Sequence, residues 1–377
     1  MKKEFVSRQQ LKLLPERIRK AEETDACKEL NLYMWQLCQE KYFKQMNIMV
    51  VGAGGSYPAA IFAKHSLHDE MRTPNVEAVT PQTAIRIMTQ FDNIVNCKWP
   101  PQYDLVIGIS YSGKTPDIKA VSDLCIKKGY PFVLLTGADK STLSELYSEN
   151  DSVKIISYFN EEDTSGREKG MISMASSLAP IVVLDDNWTA KMIEYTQQDL
   201  AKGEKFVSEL NIANIAKSIK ENPVIHVFYE WDTLATATDI ESKFTESGIA
   251  NVILHEKKNF SHGRFTSLYN QNFAMVMNLT RYTSVFPLDG GKYRKTYKNE
   301  YDKMLAQFLA KICKDKSAHY LEIGTVAIMP TQWNIEAMTK LPYLITAIGE
   351  ELGIDISKPL NPYPQEMLPF YEYKGKF

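Results

Sequence analysis

Ile48-Met49-Val50-Val51 runs directly into Gly52-Ala53-Gly54-Gly55-Ser56, an apolar stretch of strand length closed by a glycine-rich turn, with helical sequence behind it. The same order returns in Asp104-Leu105-Val106-Ile107-Gly108-Ile109 and the turn Ser110-Tyr111-Ser112-Gly113-Lys114-Thr115. Short runs that are apolar throughout suit strands buried on both faces. Such strands separated by helices specify a parallel sheet. Pro131 to Gly137 and Val153 to Ile156 supply two further runs. The pattern predicts one α/β domain over residues 46–195.

Working outward, residues 1–45 read as a helical segment. Leu11, Leu14 and Ile18, then Leu30, Met34, Leu37 and Cys38, recur at helical spacing, and Pro15 is expected to break the segment in two. On the other side, 196–220 reads as a charged connecting helix. Alternation then restarts: Val224–Phe228, Asn251–Leu254, Phe273–Met277 and Thr325–Met329 are candidate strands, and a helix over 331–352 ends at Gly353. This predicts a second α/β domain at 221–350 and a proline-rich tail at 351–377. The fold class is α/β, with two doubly wound parallel-sheet domains, each a three-layer sandwich, behind an N-terminal helical segment.

Bulk properties agree and exclude several classes. A chain of 377 residues fits two lobes of average size, and 44% hydrophobic with 24% charged residues is a globular composition. A formal net charge of −2 gives no general attraction to nucleic acid or to anionic membrane, so an anionic ligand needs a local site. The start, Met1-Lys2-Lys3-Glu4-Phe5, leads into polar helical sequence rather than a signal segment, and no apolar run approaches the roughly 20 residues of a membrane span. The five cysteines are scattered and show no metal-ligand spacing. The expectation is a cytoplasmic protein with reduced thiols, no metal and no cofactor.

In an open parallel sheet, ligands sit at the carboxyl ends of the strands, where helix N-termini present unsatisfied N–H groups. Two turns fall at that edge. Gly54 and Gly55 allow close backbone approach, and Ser56 can cap the next helix or donate to a ligand oxygen. Ser110, Ser112 and Thr115 place three more hydroxyls around Gly113. Hydroxyls with backbone amides suit a phosphate monoester; a plain set of helix caps would use the same residues. Gly108 to Thr115 also satisfies the nucleotide-binding pattern G-x-x-x-x-G-K-[ST], with Ile181 to Asp186 as a possible acidic strand. Against a nucleotide stand the serines at 110 and 112, Pro116 directly after Thr115, and the helical look of the stretch from Met171.

These turns resemble those of the sugar isomerase (SIS) family. Gly52 to Ser56 is similar to its first turn, and Ser110 to Thr115 to its S-x-S-G-x-T phosphate loop. Glu168-Lys169-Gly170-Met171-Ile172-Ser173 resembles its E-x-G-x-x-S segment, and Glu241 to Glu246 its glutamate-bearing helix. His262-Gly263 resembles its histidine-glycine turn. Gly353 to Asn361 is similar to the D-x-x-x-P-x-N tail in the isomerase half of glucosamine-6-phosphate synthase. The resemblance implies a five-stranded parallel sheet used twice, usually in a homodimer. It implies a sugar phosphate held by Ser56, Ser110, Ser112 and Thr115, with Gly54, Gly55 and Gly113 lining the site. Glu168 would move a proton between C1 and C2, and His262 would open the sugar ring, both apt residue types for this chemistry. Lys358 would be an active-site cation.

The departures matter as much. No glutaminase half accompanies these motifs, and Pro364 stands where the synthase tail carries a lysine, so amide transfer is not expected. Lys114 and Arg264 add positive charge that the synthase lacks, which would suit a more highly charged ligand. The leading expectation is aldose–ketose isomerisation, or a related deamination or deglycation, of a sugar phosphate. A sugar-phosphate-binding regulator without chemistry is the alternative, and a nucleotide binder is a third.

Overall fold

The computed structural model describes residues 4–40, 46–67, 75–90, 103–147, 152–159, 172–184, 200–287, 293–326 and 330–358. The chain divides into two compact units: one takes in residues 13–169, 173–193 and 360–377, the other residues 1–12, 170–172 and 194–359.

In the first α/β unit, β1 (Asn47–Gly52) lies between β2 (Asn75–Val79) and β3 (Leu105–Ser110), and β4 (Phe132–Thr136) and β5 (Val153–Ser157) follow. All the pairings are parallel, and the order β2-β1-β3-β4-β5 reverses direction between β1 and β3. Every residue of β3 and β4 is buried, which explains their unbroken apolar sequence. Helices α4 (Pro81–Thr89) and α5 (Pro116–Lys128) bury Ala84, Met88, Ile118, Val121 and Cys125 against Met49, Val51, Val106, Phe132 and Leu134. Helices α2 (Ala26–Glu40), α3 (Tyr57–Ser66) and α6 (Leu178–Leu184) also pack in this unit, α3 against β1 and β2 and α2 against β5. Edge strand β2 was not evident from sequence. Asn75-Val76-Glu77-Ala78-Val79 is half-exposed over most of its length and so carries no continuous apolar run.

The second unit repeats the winding with β6 (Val224–Tyr229), β7 (Asn251–Glu256), β8 (Met275–Pro287) and β10 (His319–Thr325) in the order β10-β8-β6-β7. It is not five parallel strands: β9 (Tyr293–Tyr297) pairs antiparallel with the far end of β8. One face packs against α12 (Glu300–Asp315) through Phe228, Val276, Leu305, Leu309 and Ile312. Helices α8 (Ile212–Glu221), α9 (Leu234–Glu246), α13 (Pro330–Met338) and α14 (Leu341–Leu352) complete the unit.

Four sequence expectations need correction. Helix α1 (Val6–Glu22) runs straight through Pro15. An interior proline costs about 3 kcal/mol, but Leu11, Leu14 and Ile18 are fully or almost fully buried, at about 2 kcal/mol each, which outweighs it. The break comes at Thr24, whose hydroxyl donates to the Ala21 carbonyl at 2.8 Å. The connecting stretch is two helices, α7 (200–208) and α8, parted where Asn211 caps α8 by accepting the Asn214 N–H at 3.1 Å. The expected strand at 325–329 lies earlier, at His319–Thr325; alternate residues Leu321, Ile323 and Thr325 are the buried ones, so the strand has one buried face and no apolar run. Residues 327–329 lie outside the described residues. The helix over 331–352 is interrupted at Thr339-Lys340, and Pro342 opens α14, which ends at Gly353 with φ 73°.

Asp355 has a role that its motif did not suggest. Its carboxylate accepts the N–H groups of Val6 at 2.7 Å and Ser7 at 3.0 Å, capping α1 from the far end of the chain.

Candidate phosphate site at the first sheet edge

The strand order reverses between β1 and β3, and the carboxyl ends of the strands at such a reversal are where doubly wound sheets bind ligands. Gly52 pairs with Ile109, so the turn after β1 and the loop after β3 emerge side by side. Gly52 is required by the turn itself, because a Cβ there would lie 2.6 Å from the Ser56 carbonyl oxygen. Ser56 is buried and its N–H bonds the Ala53 carbonyl at 3.1 Å, but its hydroxyl does not cap α3 as expected. The hydroxyl is therefore not spent on the helix.

The second loop is built around Gly113. This residue sits at φ 66°, and a side chain there would meet Leu143 Cδ1 at 2.6 Å and Thr136 Oγ1 at 2.9 Å. Tyr147 donates to the Gly113 carbonyl at 3.0 Å and the Gly137 N–H donates to the Tyr111 carbonyl at 3.1 Å, tying the loop to its surroundings. Held in this way, the loop brings the Ser110 and Thr115 hydroxyls to 2.8 Å of each other. The Gly113 N–H reaches Ser110 Oγ at 3.1 Å, and the Lys114 N–H reaches Ser112 Oγ at 3.2 Å. Thr115 begins α5 without capping it, so the helix N-terminus keeps donors to offer an anion. Ser110 is buried, whereas Ser112 and Lys114 are exposed.

A serine missed in the sequence belongs to this edge. Ser176 Oγ would lie 2.7 Å from a Cβ on Gly55, so the glycine exists to admit it, and that hydroxyl donates to the Ser173 carbonyl at 2.9 Å. Ser173 Oγ is itself buried and has no hydrogen-bond partner among the described residues. The pair Ser176-Ser177 ahead of an apolar helix was the signal available.

The nucleotide pattern does not survive the geometry. Gly108 lies inside β3, where a side chain would strike Phe132, and only residues 111–115 form the loop between β3 and α5. That is too short to wrap a phosphate chain from Gly108 onward. Residues 178–184 are helix, as the sequence suggested.

The other candidates lie elsewhere or outside the described residues. Glu168 and the tail from Pro359 fall outside them. His262, Arg264 and Lys358 are exposed and belong to the second unit. His262 and Gly263 form a kinked turn, with Gly263 at φ 104°, between α10 (Lys257–Asn259) and α11 (Thr266–Asn270). On α9, Glu246 is a carboxyl whose pKa burial raises above the usual range, against the opposing hydrogen bond from Ser242 at 2.6 Å. The sequence marked this helix but could not single out Glu246 from Glu241.

Residues 41–185 match the model of the SIS domain, which spans the whole of this edge. Searched against curated proteins, the sequence finds no match. Among solved structures, the C-terminal domain of glucosamine-fructose-6-phosphate aminotransferase from Francisella tularensis is similar in fold. Its TM-score is 0.65 at 14% identity, covering 93% of this chain and 97% of that one. Glucosamine-6-phosphate deaminase from Thermotoga maritima is similar with TM-score 0.60 at 14% identity, over 96% of this chain and 98% of that one. These likenesses establish an α/β fold of two sheets flanked by helices.

Proposed function

We propose that the chain binds a sugar phosphate at the carboxyl edge of the first sheet and interconverts its aldose and ketose forms, or performs a related deamination or deglycation. The observation that carries this reading is the meeting of the Ser110 and Thr115 hydroxyls, 2.8 Å apart, around Gly113 at the reversal point of the sheet. Hydroxyls and backbone amides suit a dianionic monoester. The SIS match over 41–185 supports it, as do two neighbours named for glucosamine 6-phosphate or fructose 6-phosphate chemistry.

In this reading Ser56, Ser110, Ser112 and Thr115 hold the phosphoryl group, and Gly54, Gly55 and Gly113 let the backbone close on it. Glu168 carries the proton between C1 and C2, His262 opens the ring, and Lys114, Arg264 and Lys358 tune the charge. Glu246 is a second acid–base candidate, because burial raises the pKa of its carboxyl above the ordinary value. The chain works as a homodimer, without metal or cofactor, in the cytoplasm.

The test is turnover of a panel of hexose phosphates and their amino derivatives by wild type, Glu168→Gln and Glu246→Gln. Loss of one catalytic acid–base group should lower kcat by about 100-fold or more. A variant that keeps full turnover removes its residue from the mechanism. Thermal stabilisation by a panel member with no turnover of any would point to a regulator, and absence of both would sink the proposal.

A further inference from the structure

The second unit carries an apolar cavity of its own. Its volume is about 410 Å³, within the range of small-molecule sites. The turn around His262 gives Phe260, Ser261 and Phe265, α11 gives Tyr269, and α12 gives Tyr301, Met304 and Phe308. Phe265, Tyr269 and Met304 are 39%, 57% and 60% exposed, a concentration of large apolar side chains that a folded surface rarely leaves open. The rings do not close on one another: Phe308 meets Phe260 and Tyr269 at tilts of 55° and 58°, with 6.4 and 6.2 Å between centres. Ring faces remain for a flat guest.

A cation stands beside the lining residue Tyr301. Lys258 Nζ lies 4.5 Å from the centre of the Tyr301 ring and has no carboxylate partner among the described residues. The nearby acids of α12 are engaged, Asp302 with buried Lys257 at 3.4 Å and Glu300 with Lys303 at 3.1 Å. The Ser261 hydroxyl donates to the Lys258 carbonyl at 2.7 Å, so its oxygen can still accept. We infer that this cavity is a binding site for a small molecule with a flat apolar body and an anionic group, the body among the rings and the anion on Lys258. Because Phe260, Ser261 and Phe265 flank His262-Gly263, an occupant bears directly on the turn that carries His262.

The full chain is titrated with 1-anilinonaphthalene-8-sulfonate and, separately, with the uncharged N-phenyl-1-naphthylamine. The expected result is one sulfonate per chain, bound at least fivefold tighter than the uncharged arene, with a shift in the His262 ring proton resonances assigned through His262→Gln. Met304→Glu, at an exposed position that folding does not depend on, should weaken the sulfonate at least tenfold. Lys258→Ala should bring it to the level of the uncharged arene. Excess inorganic phosphate should leave it bound, which separates this cavity from the first sheet edge. Several weak sites per chain, full binding by Met304→Glu, or displacement by phosphate would overturn the assignment. So would a wild type that binds no sulfonate while Met304→Glu turns an oligomer into monomers, since the cavity would then belong to a second copy of the chain.

Discussion

The turn after β1 is Gly52-Ala53-Gly54-Gly55-Ser56; the turn in the same topological position of the other sheet, after β6, is Glu230-Trp231-Asp232-Thr233. Both follow a central strand, β1 between β2 and β3 in one unit and β6 between β7 and β8 in the other. At the first edge stand glycines and hydroxyls. At the second, buried Asp232 meets Arg281 of β8 at 2.6 Å, and Asn334 donates to the Asp232 carbonyl at 2.7 Å. Burial raises the pKa of Glu230 above the carboxylate range, against the pull of Lys257 and Lys298. A cation already matched by a buried carboxylate has little attraction left for an anionic ligand, whereas hydroxyls and amides stay neutral until a ligand supplies the charge. The same winding thus presents neutral hydroxyls and amides at one edge and an edge sealed by a buried ion pair at the other.

The largest test of that contrast is Asp232→Ala. It removes the buried carboxylate that meets the Arg281 guanidinium and should cost about 3–5 kcal/mol in urea unfolding. Replacing Arg281 by leucine in the same chain should recover roughly half of this loss, because the charge that Asp232 balanced goes with it. A cost under about 1 kcal/mol would mean that the pair seals nothing.

Next in size is acid. The strands β3 and β4 bury aliphatic side chains and a few hydroxyls, but the second sheet buries His226 and His255, with Nδ1 of one 2.8 Å from Nε2 of the other. Burial pushes both down to about 4, with the neighbouring histidine adding to the effect on His226 and Arg264 to that on His255. Neutral in the folded state and readily protonated once unfolded, they leave stability whole above the ordinary histidine pKa near 6.5. It then drains as pH falls from there toward 4. Each lies roughly 2.5 units below its ordinary value, so the loss is about 3 kcal/mol or more. Unfolding of the second unit followed from pH 7 to 4 checks it, and His226→Leu should flatten the curve. An equal acid loss in the first unit would erase the contrast.

The binding edge itself answers to Ser110→Ala and Thr115→Val. Each removes one hydroxyl of the 2.8 Å pair and should weaken a sugar phosphate about tenfold, or 1.4 kcal/mol, while changing stability by less than about 1 kcal/mol. Affinity unchanged in both variants would show that the hydroxyls serve only each other.

How much of this could be read beforehand depends on whether a residue's task is local. Val50, Ile107 and Leu134 are buried on both sides and announce their strands, and Gly113 announces its loop because its φ of 66° is a local demand. Edge strands β2 and β10 were missed or misplaced because one exposed face dilutes the apolar signal. Pro15 misled for a related reason: the cost of a proline is local, but the burial of Leu14 and Ile18 that overrides it is tertiary. At the candidate site, the turns that carry Ser56, Ser110, Ser112 and Thr115 were legible from their glycines and hydroxyls. Ser176 was not read, since the Ser176-Ser177 pair gains its meaning only from the approach of Ser176 to Gly55 across the fold.

Lys114 gives the smallest and sharpest test. It is the exposed lysine of the binding loop, and its backbone N–H, not its ammonium, is what the loop uses, in the 3.2 Å bond to Ser112 Oγ. At the other edge the cation is fixed by Asp232; here it reaches into solvent, where water and salt screen it. Lys114→Ala should therefore weaken a hexose monophosphate only about two- to fivefold, under about 1 kcal/mol, and the difference should fade as salt rises. A sugar bisphosphate, with a second anion to place, should lose more than the monophosphate does. Calorimetry with both ligands at low and high salt measures this. Equal losses that salt leaves untouched would mean that Lys114 acts through the loop's shape, and that its charge has no part in distinguishing this edge from the sealed one.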